Sequence, residues 1–117
     1  MADRLSVTTT AVTVIVIPAA IDRTNAGLIG GQLRAACTAQ AIAVADMTGT
    51  TWCDSRGMHE LVSAHRRARK LGGELRVARP RGPLLRVWEL LGADKELAIY
   101  PTLAAATATA PKPGRTS

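Results

Sequence analysis

The chain has no phenylalanine, one tyrosine and two tryptophans, so aromatic residues fill only 3% of its 117 positions. Proteins that bind single strands of nucleic acid stack bases on such rings, and that platform is missing. Cysteine is equally scarce: Cys37 and Cys53 stand alone, with no Cys-x-x-Cys pair and no histidine at ligand spacing. That speaks against a zinc site and a disulfide framework, and points to reduced thiols in a cytoplasmic protein. His59 and His65 are six residues apart, which on a helix places them on different faces, so a metal pair is not expected. No cofactor is expected either. Long apolar runs are absent too: "AVTVIVIPAA" is far too short to span a bilayer, and no membrane partner is expected. The same stretch resembles a signal-peptide core, but Asp3 and Arg4 leave its start without clear positive charge, and the threonines around it favour a strand.

What the chain does have is positive charge. Fifteen Lys and Arg against nine Asp and Glu give a net +6, a balance that suits an acidic partner. Arg66, Arg67, Arg69 and Lys70 read as the solvated face of one helix, and Lys112 and Arg115 lie in a polar tail. That reading is preferred to a nucleic-acid patch, and no sequence-specific nucleic-acid partner is expected. A chain of this length makes one ordinary domain that buries roughly two-thirds of its unfolded surface without staples.

The apolar period changes regularly along the chain. Residues 5–9 read as a short edge strand, and 12–17 as a buried β-branched strand that demands cover on both faces and is closed by Pro18. Leu28, Ile29, Leu33 and Ala36 recur at helical spacing over 25–38, with Asp22, Thr24 or Asn25 available as N-cap. Residues 41–47 are almost unbroken apolar, the mark of a strand covered on both faces. Met58, Leu61, Val62, His65 and Ala68 form the next helical stripe, ended by Gly72 and Gly73. "ELRVA" is a strand. "PRGPLLRVWELLG" is a third helix, with Pro83 in its first turn, Leu84, Val87, Trp88 and Leu91 on one face, and Gly92 past its end. "LAIY" is a last strand stopped by Pro101. Strands alternating with helices in this way imply βαβ crossovers in a largely parallel or mixed sheet, and the expectation is an α/β domain with a mixed sheet of four or five strands and helices packed over it. From Ala104 the composition becomes low-complexity, and roughly the last dozen residues read as a disordered tail that begins as a short helix.

"TWCDSRGM", residues 51–58, places Ser55 where a strand end turns into a helix. Three roles compete for its hydroxyl. Asp54 or Ser55 is the natural N-cap, accepting a bond from a free backbone N–H. A nucleophile is disfavoured, because the elbow pattern G-x-S-x-G needs glycine at Cys53 and two histidines on the following helix complete no convincing triad. Phosphorylation is the third, since free amides and the helix dipole at such a position stabilise an anion.

An Asp-ending strand, "DSRG" opening a helix, the ending "LGGELRV", the helix "VWELLG" and "YPT" occur in order, and together they resemble the STAS domains, in particular the bacterial anti-sigma factor antagonists. The resemblance covers most of residues 5–106 and is strongest from Asp46 onward. It implies a non-enzymatic, cytoplasmic STAS-like domain over 1–106 with a tail over 107–117. It further implies a protein that binds an anti-sigma factor with serine-kinase activity, frees a sigma factor for transcription, and is switched off when Ser55 is phosphorylated and on again by a serine phosphatase. Carried over, Ser55 is the phospho-acceptor with Asp54 beside it. Arg56, Gly57 and Met58 begin the docking helix, and Asp22, Arg23, Thr24 and Asn25 form the adjoining loop of the same face. The sequence departs from the family pattern at Arg56, where a small hydroxyl residue is usual, at Ala19 and Ala20, in place of a Gly-Glu pair, and at Ala93, in place of leucine. A STAS-like adaptor in a larger signalling assembly, which binds without being phosphorylated, stays open beside this reading; a basic nucleic-acid-binding protein is the remaining, weaker alternative.

Overall fold

The computed structural model describes residues 11–109. β1 (Val12–Val16) and the two-residue β2 (Ala20–Ile21) lead into α1 (Ala26–Ala36), followed by β3 (Ile42–Asp46), the two-residue β4 (Trp52–Cys53) and α2 (Ser55–Lys70). β5 (Glu74–Ala78), α3 (Pro83–Leu91), the single turn α4 (Ala93–Glu96), β6 (Ala98–Tyr100) and α5 (Leu103–Thr107) complete the described chain. Four strands form one sheet in the order β1-β3-β5-β6, every neighbouring pair parallel, with Val14 opposite Val44 and Val44 opposite Arg76. Parallel neighbours need long crossovers, which the intervening helices supply. β2 and β4 pair separately, also in parallel. The α/β architecture is as expected. The anticipated edge strand at 5–9 lies outside the described residues.

β3 explains why the core has two sides. Alternate residues of a strand face opposite ways. Ala43 and Ala45 join Ile29, Leu33, Leu61, Ala64 and Trp88 in the larger cluster under α1 to α3, while Ile42 and Val44 join Ala78, Tyr100 and Ala106 under α5. The unbroken apolar run at 41–47 is therefore covered on both faces. The run at 12–17 is not: Val14 is 39% and Val16 73% exposed. β1 is an edge strand among the described residues, and α5 packs mainly on β3, β5 and β6.

Two helical stripes are also narrower than their spacing suggests. α1 buries Ala26, Ile29, Gly30 and Leu33 but leaves Leu28 exposed, and α3 buries Leu84 and Trp88 while Val87 and Leu91 face solvent. Gly72 and Gly92 adopt φ of 79° and 77°, the left-handed stops expected at the ends of α2 and α3.

α5 is a packed element although its sequence reads as the start of a tail. Arg76, buried on β5, donates from Nη1 to the carbonyls of Ala106 at 3.1 Å and Ala108 at 2.6 Å. Its guanidinium also lies over the Tyr100 ring, 5.2 Å from the centroid, and pairs with Glu74 at 3.1 Å. A buried charge is tolerated when its donors are satisfied in this way, and here it ties the last helix to the sheet.

Candidate functional site

The site is built where the small β2–β4 pair delivers two loops side by side. Thr50 donates from Oγ1 to the Pro18 carbonyl at 2.9 Å, and the amide of Thr51 bonds the Ala19 carbonyl at 2.8 Å. Ala20 then lies opposite Trp52 and Ile21 opposite Cys53, and the Asp54 amide closes the pair on the Ile21 carbonyl at 3.1 Å. The segments that follow, 22–25 and 54–58, leave this pair as neighbours. These are the two stretches singled out in the sequence.

Asp54 has extended backbone and is the N-cap of α2, its Oδ1 accepting from the Gly57 amide at 3.0 Å. The competition between Asp54 and Ser55 for the cap is thus decided. Ser55 is the first helical residue, exposed, and its hydroxyl makes no hydrogen bond among the described residues. Arg56 is exposed beside it and has no ion pair among them. Gly57 is buried. A Cβ there would lie 2.7 Å from Cys53 Sγ and from Ile21 Cγ2, so only glycine lets the first turn of α2 sit this close to β2 and β4. Met58 is half-buried and leans on the core.

The adjoining loop is held by its own polar groups. Asn25 occupies the N-cap position of α1 but turns its side chain back, accepting from the Asp22 amide and donating to the Ala20 carbonyl, both at 2.9 Å. Asp22 Oδ1 accepts from the Thr24 hydroxyl and, at 2.9 Å, from the Thr24 amide. Those bonds, the hydroxyl first, hold the Asp22 carboxyl below its usual pKa. Arg23 and Thr24 are exposed, while Asp22 and Asn25 are half-buried.

A family model for the STAS domain matches residues 5–106. The chain belongs to the STAS domain family. Its fold is similar to that of an anti-sigma factor antagonist from Mycobacterium paratuberculosis, with a TM-score of 0.71 and 27% identity over 85% of each chain. A candidate anti-sigma factor antagonist from Thermotoga maritima shares the fold at a TM-score of 0.66 and 20% identity, over 80% of this chain and 83% of that one. The anti-sigma factor antagonist SpoIIAA in its unphosphorylated form does so at 0.66 and 15% identity, over 86% and 89%. No curated protein sequence matches this one.

In this STAS domain the thiol nearest the site is chemically quiet. Burial, reinforced by the Asp54 charge, pushes the half-buried Cys53 thiol up to about 12. Cys37 is buried and raised as well, by burial with slight opposition from Arg67. Among the described residues no group of His, Cys, Asp and Glu is placed to hold a metal ion. None of the described helices is long and apolar enough to cross a membrane.

Trp52 is not among the residues that the sequence singles out, although it lies in the stretch 51–58 that leads to Ser55. It is 57% exposed on β4, two residues before Asp54. A large apolar residue standing next to a candidate motif in an otherwise polar stretch is the signal that marks it.

Proposed function

We propose that this STAS domain is an anti-sigma factor antagonist that binds an anti-sigma factor with serine-kinase activity and is released from it when that kinase phosphorylates Ser55. One observation carries the reading: Asp54 performs the capping, so the Ser55 hydroxyl is exposed at the start of α2 and has no hydrogen-bond partner among the described residues. A capping serine would have its oxygen engaged by backbone. This one is available to a phosphoryl donor. The relatives that share the fold are anti-sigma factor antagonists, which supports the same reading.

The docking face consists of Asp22 to Asn25 and Asp54 to Met58, with Trp52 as its apolar anchor, a residue type enriched in binding hot spots. Gly57 serves it from beneath by setting the height of the helix start. Phosphorylation adds roughly −1.5 to −2 charges at pH 7, which the helix N-terminus and Arg56 accommodate within the domain while a closely packed partner surface does not. A serine phosphatase resets the switch, and a cytoplasmic location follows from the sigma factor that is freed.

Arg56 supports a second reading, an adaptor that docks through the same face without being phosphorylated, because a cation stands where a small hydroxyl residue is usual. The deciding experiment incubates the protein with ATP and each serine-kinase anti-sigma factor of the same cell, then maps modified residues by mass spectrometry. Phosphate on Ser55 is the expected result. Binding without modification of Ser55 establishes the adaptor instead.

A further inference from the structure

The far end of α2 carries chemistry that the Ser55 face does not use. Arg66, Arg67, Arg69 and Lys70 are all exposed there. Arg69 lies fourteen residues beyond Ser55 on the same helix, about 21 Å along its axis, so a rigid rod separates the two surfaces. Beside it opens a hollow of about 600 Å³, lined by Arg66, Arg69 and Lys70 of α2 and by Gly92, Lys95 and Glu96 at the α3–α4 corner. Glu96 is paired with Arg66 at 3.2 Å, and Arg69, Lys70 and Lys95 have no acidic partner among the described residues.

Gly92 is also the corner at which α3 stops, and the apolar residues before it stand out into solvent. Leu90 is 80%, Leu91 72% and Val87 44% exposed. Arg86 precedes Leu90 by four residues and shares its stripe on the helix, so a further exposed cation flanks the leucines. Against Arg66, Arg69, Lys70, Arg86 and Lys95, the described side chains offer only Glu89 and Glu96.

Neither feature alone selects a ligand. Cations complement the dipole at any helix end, and scattered exposed leucines are ordinary. Their juxtaposition is more specific: two adjacent leucines project from a helix end beside a hollow lined by Arg69, Lys70 and Lys95, which have no acidic partner among the described residues. We propose that this end of the domain is a peripheral docking face for an anionic lipid surface, with Leu90 and Leu91 entering the headgroup layer and the surrounding cations engaging lipid phosphates. A fluid phosphate layer fits the geometry better than a folded acidic protein. The apolar residues project instead of lining a groove, and long Lys and Arg side chains reach upward past inserted apolar groups. The sequence led to no membrane partner because it holds no span, but attachment to a surface needs none. The proposal is independent of Ser55.

The test is sedimentation of the intact protein with vesicles of phosphatidylcholine alone and of phosphatidylcholine mixed with phosphatidylglycerol. Binding is expected only to the mixed vesicles, and it falls as salt rises. The double variants Leu90→Ser with Leu91→Ser, and Arg69→Ser with Lys70→Ser, are each expected to weaken it roughly tenfold or more, while melting with wild type and leaving partner binding at the Ser55 face intact. Ser55→Asp is expected to bind vesicles like wild type. No sedimentation, equal sedimentation with neutral vesicles, or binding indifferent to both double variants overturns the proposal. So does capture of inorganic phosphate alone, or of an acidic helical peptide in place of vesicles, by the same cations.

Discussion

Replacing Gly57 by alanine puts a methyl carbon 2.7 Å from Cys53 Sγ, 2.7 Å from Ile21 Cγ2 and 3.0 Å from Ile21 Cβ. Ordinary non-bonded carbon contacts lie at about 3.5–4.0 Å, so about 1 Å of room must be found. Ile21 is fully buried, and both neighbours sit on strands whose backbones are hydrogen-bonded to each other. They have little freedom to retreat, so the first turn of α2 must move outward. Overpacking of this kind costs about 1–3 kcal/mol, and alanine's better helix propensity offsets at most ~1 kcal/mol of it. The net expectation is a loss of about 1–2 kcal/mol, or roughly 4–10 °C in Tm, together with weaker partner binding because Ser55 moves with the turn. Gly31→Ala is the matched control, since nothing lies within 4 Å of a Cβ there on α1. It is expected to gain about 0.5–1 kcal/mol. Thermal melts followed by circular dichroism compare the two. Gly57→Ala melting at or above wild type, or shifting in parallel with Gly31→Ala, refutes the close-approach argument.

Other expectations follow from the same geometry. Asp54→Ala removes the bond to the Gly57 amide and is expected to cost about 1 kcal/mol, whereas Ser55→Ala, which removes none, stays within a few tenths, both read from urea melts. Arg76→Met leaves the Ala106 and Ala108 carbonyls without their donor and should cost about 2–3 kcal/mol, with hydrogen exchange rising first in α5. The folded state raises the Cys53 thiol from its ordinary value of 9.0 to about 12, so it holds a proton that the unfolded chain releases. Its contribution to stability is complete below pH 9.0 and is lost as pH rises toward about 12. Denaturation across that window should show a steeper loss for wild type than for Cys53→Ala.

How far the sequence could be read depended on how much of each element's pattern it contained. The run at 41–47 forced a central strand, because a fully apolar stretch of that length has to be covered on both sides. Gly72 and Gly92 marked helix ends because the left-handed turn asks for glycine. β2 and β4 escaped, since two residues hold no period, yet this pair brings the loop at 22–25 beside the start of α2. Spacing alone also could not say how much of a stripe a neighbour covers, and so Leu28, Val87 and Leu91 were expected inside. Arg76 was invisible for a different reason: its partners are backbone carbonyls some thirty residues away. The same distance hid the packing of α5: a short helix at the start of the tail was legible in its Ala-Thr composition, its anchoring to the sheet was not.

The most direct test of the Ser55 switch is the affinity of the anti-sigma factor kinase for the domain in three states: unmodified, fully phosphorylated at Ser55, and Ser55→Ala. A partner packed on this face must desolvate an unpaired phosphate. A penalty of even about 3 kcal/mol weakens binding more than a hundredfold. The account predicts that loss for the phosphorylated domain, unchanged affinity for Ser55→Ala, and Tm values within a few degrees of one another. Equal affinity for the phosphorylated and unmodified domains contradicts it.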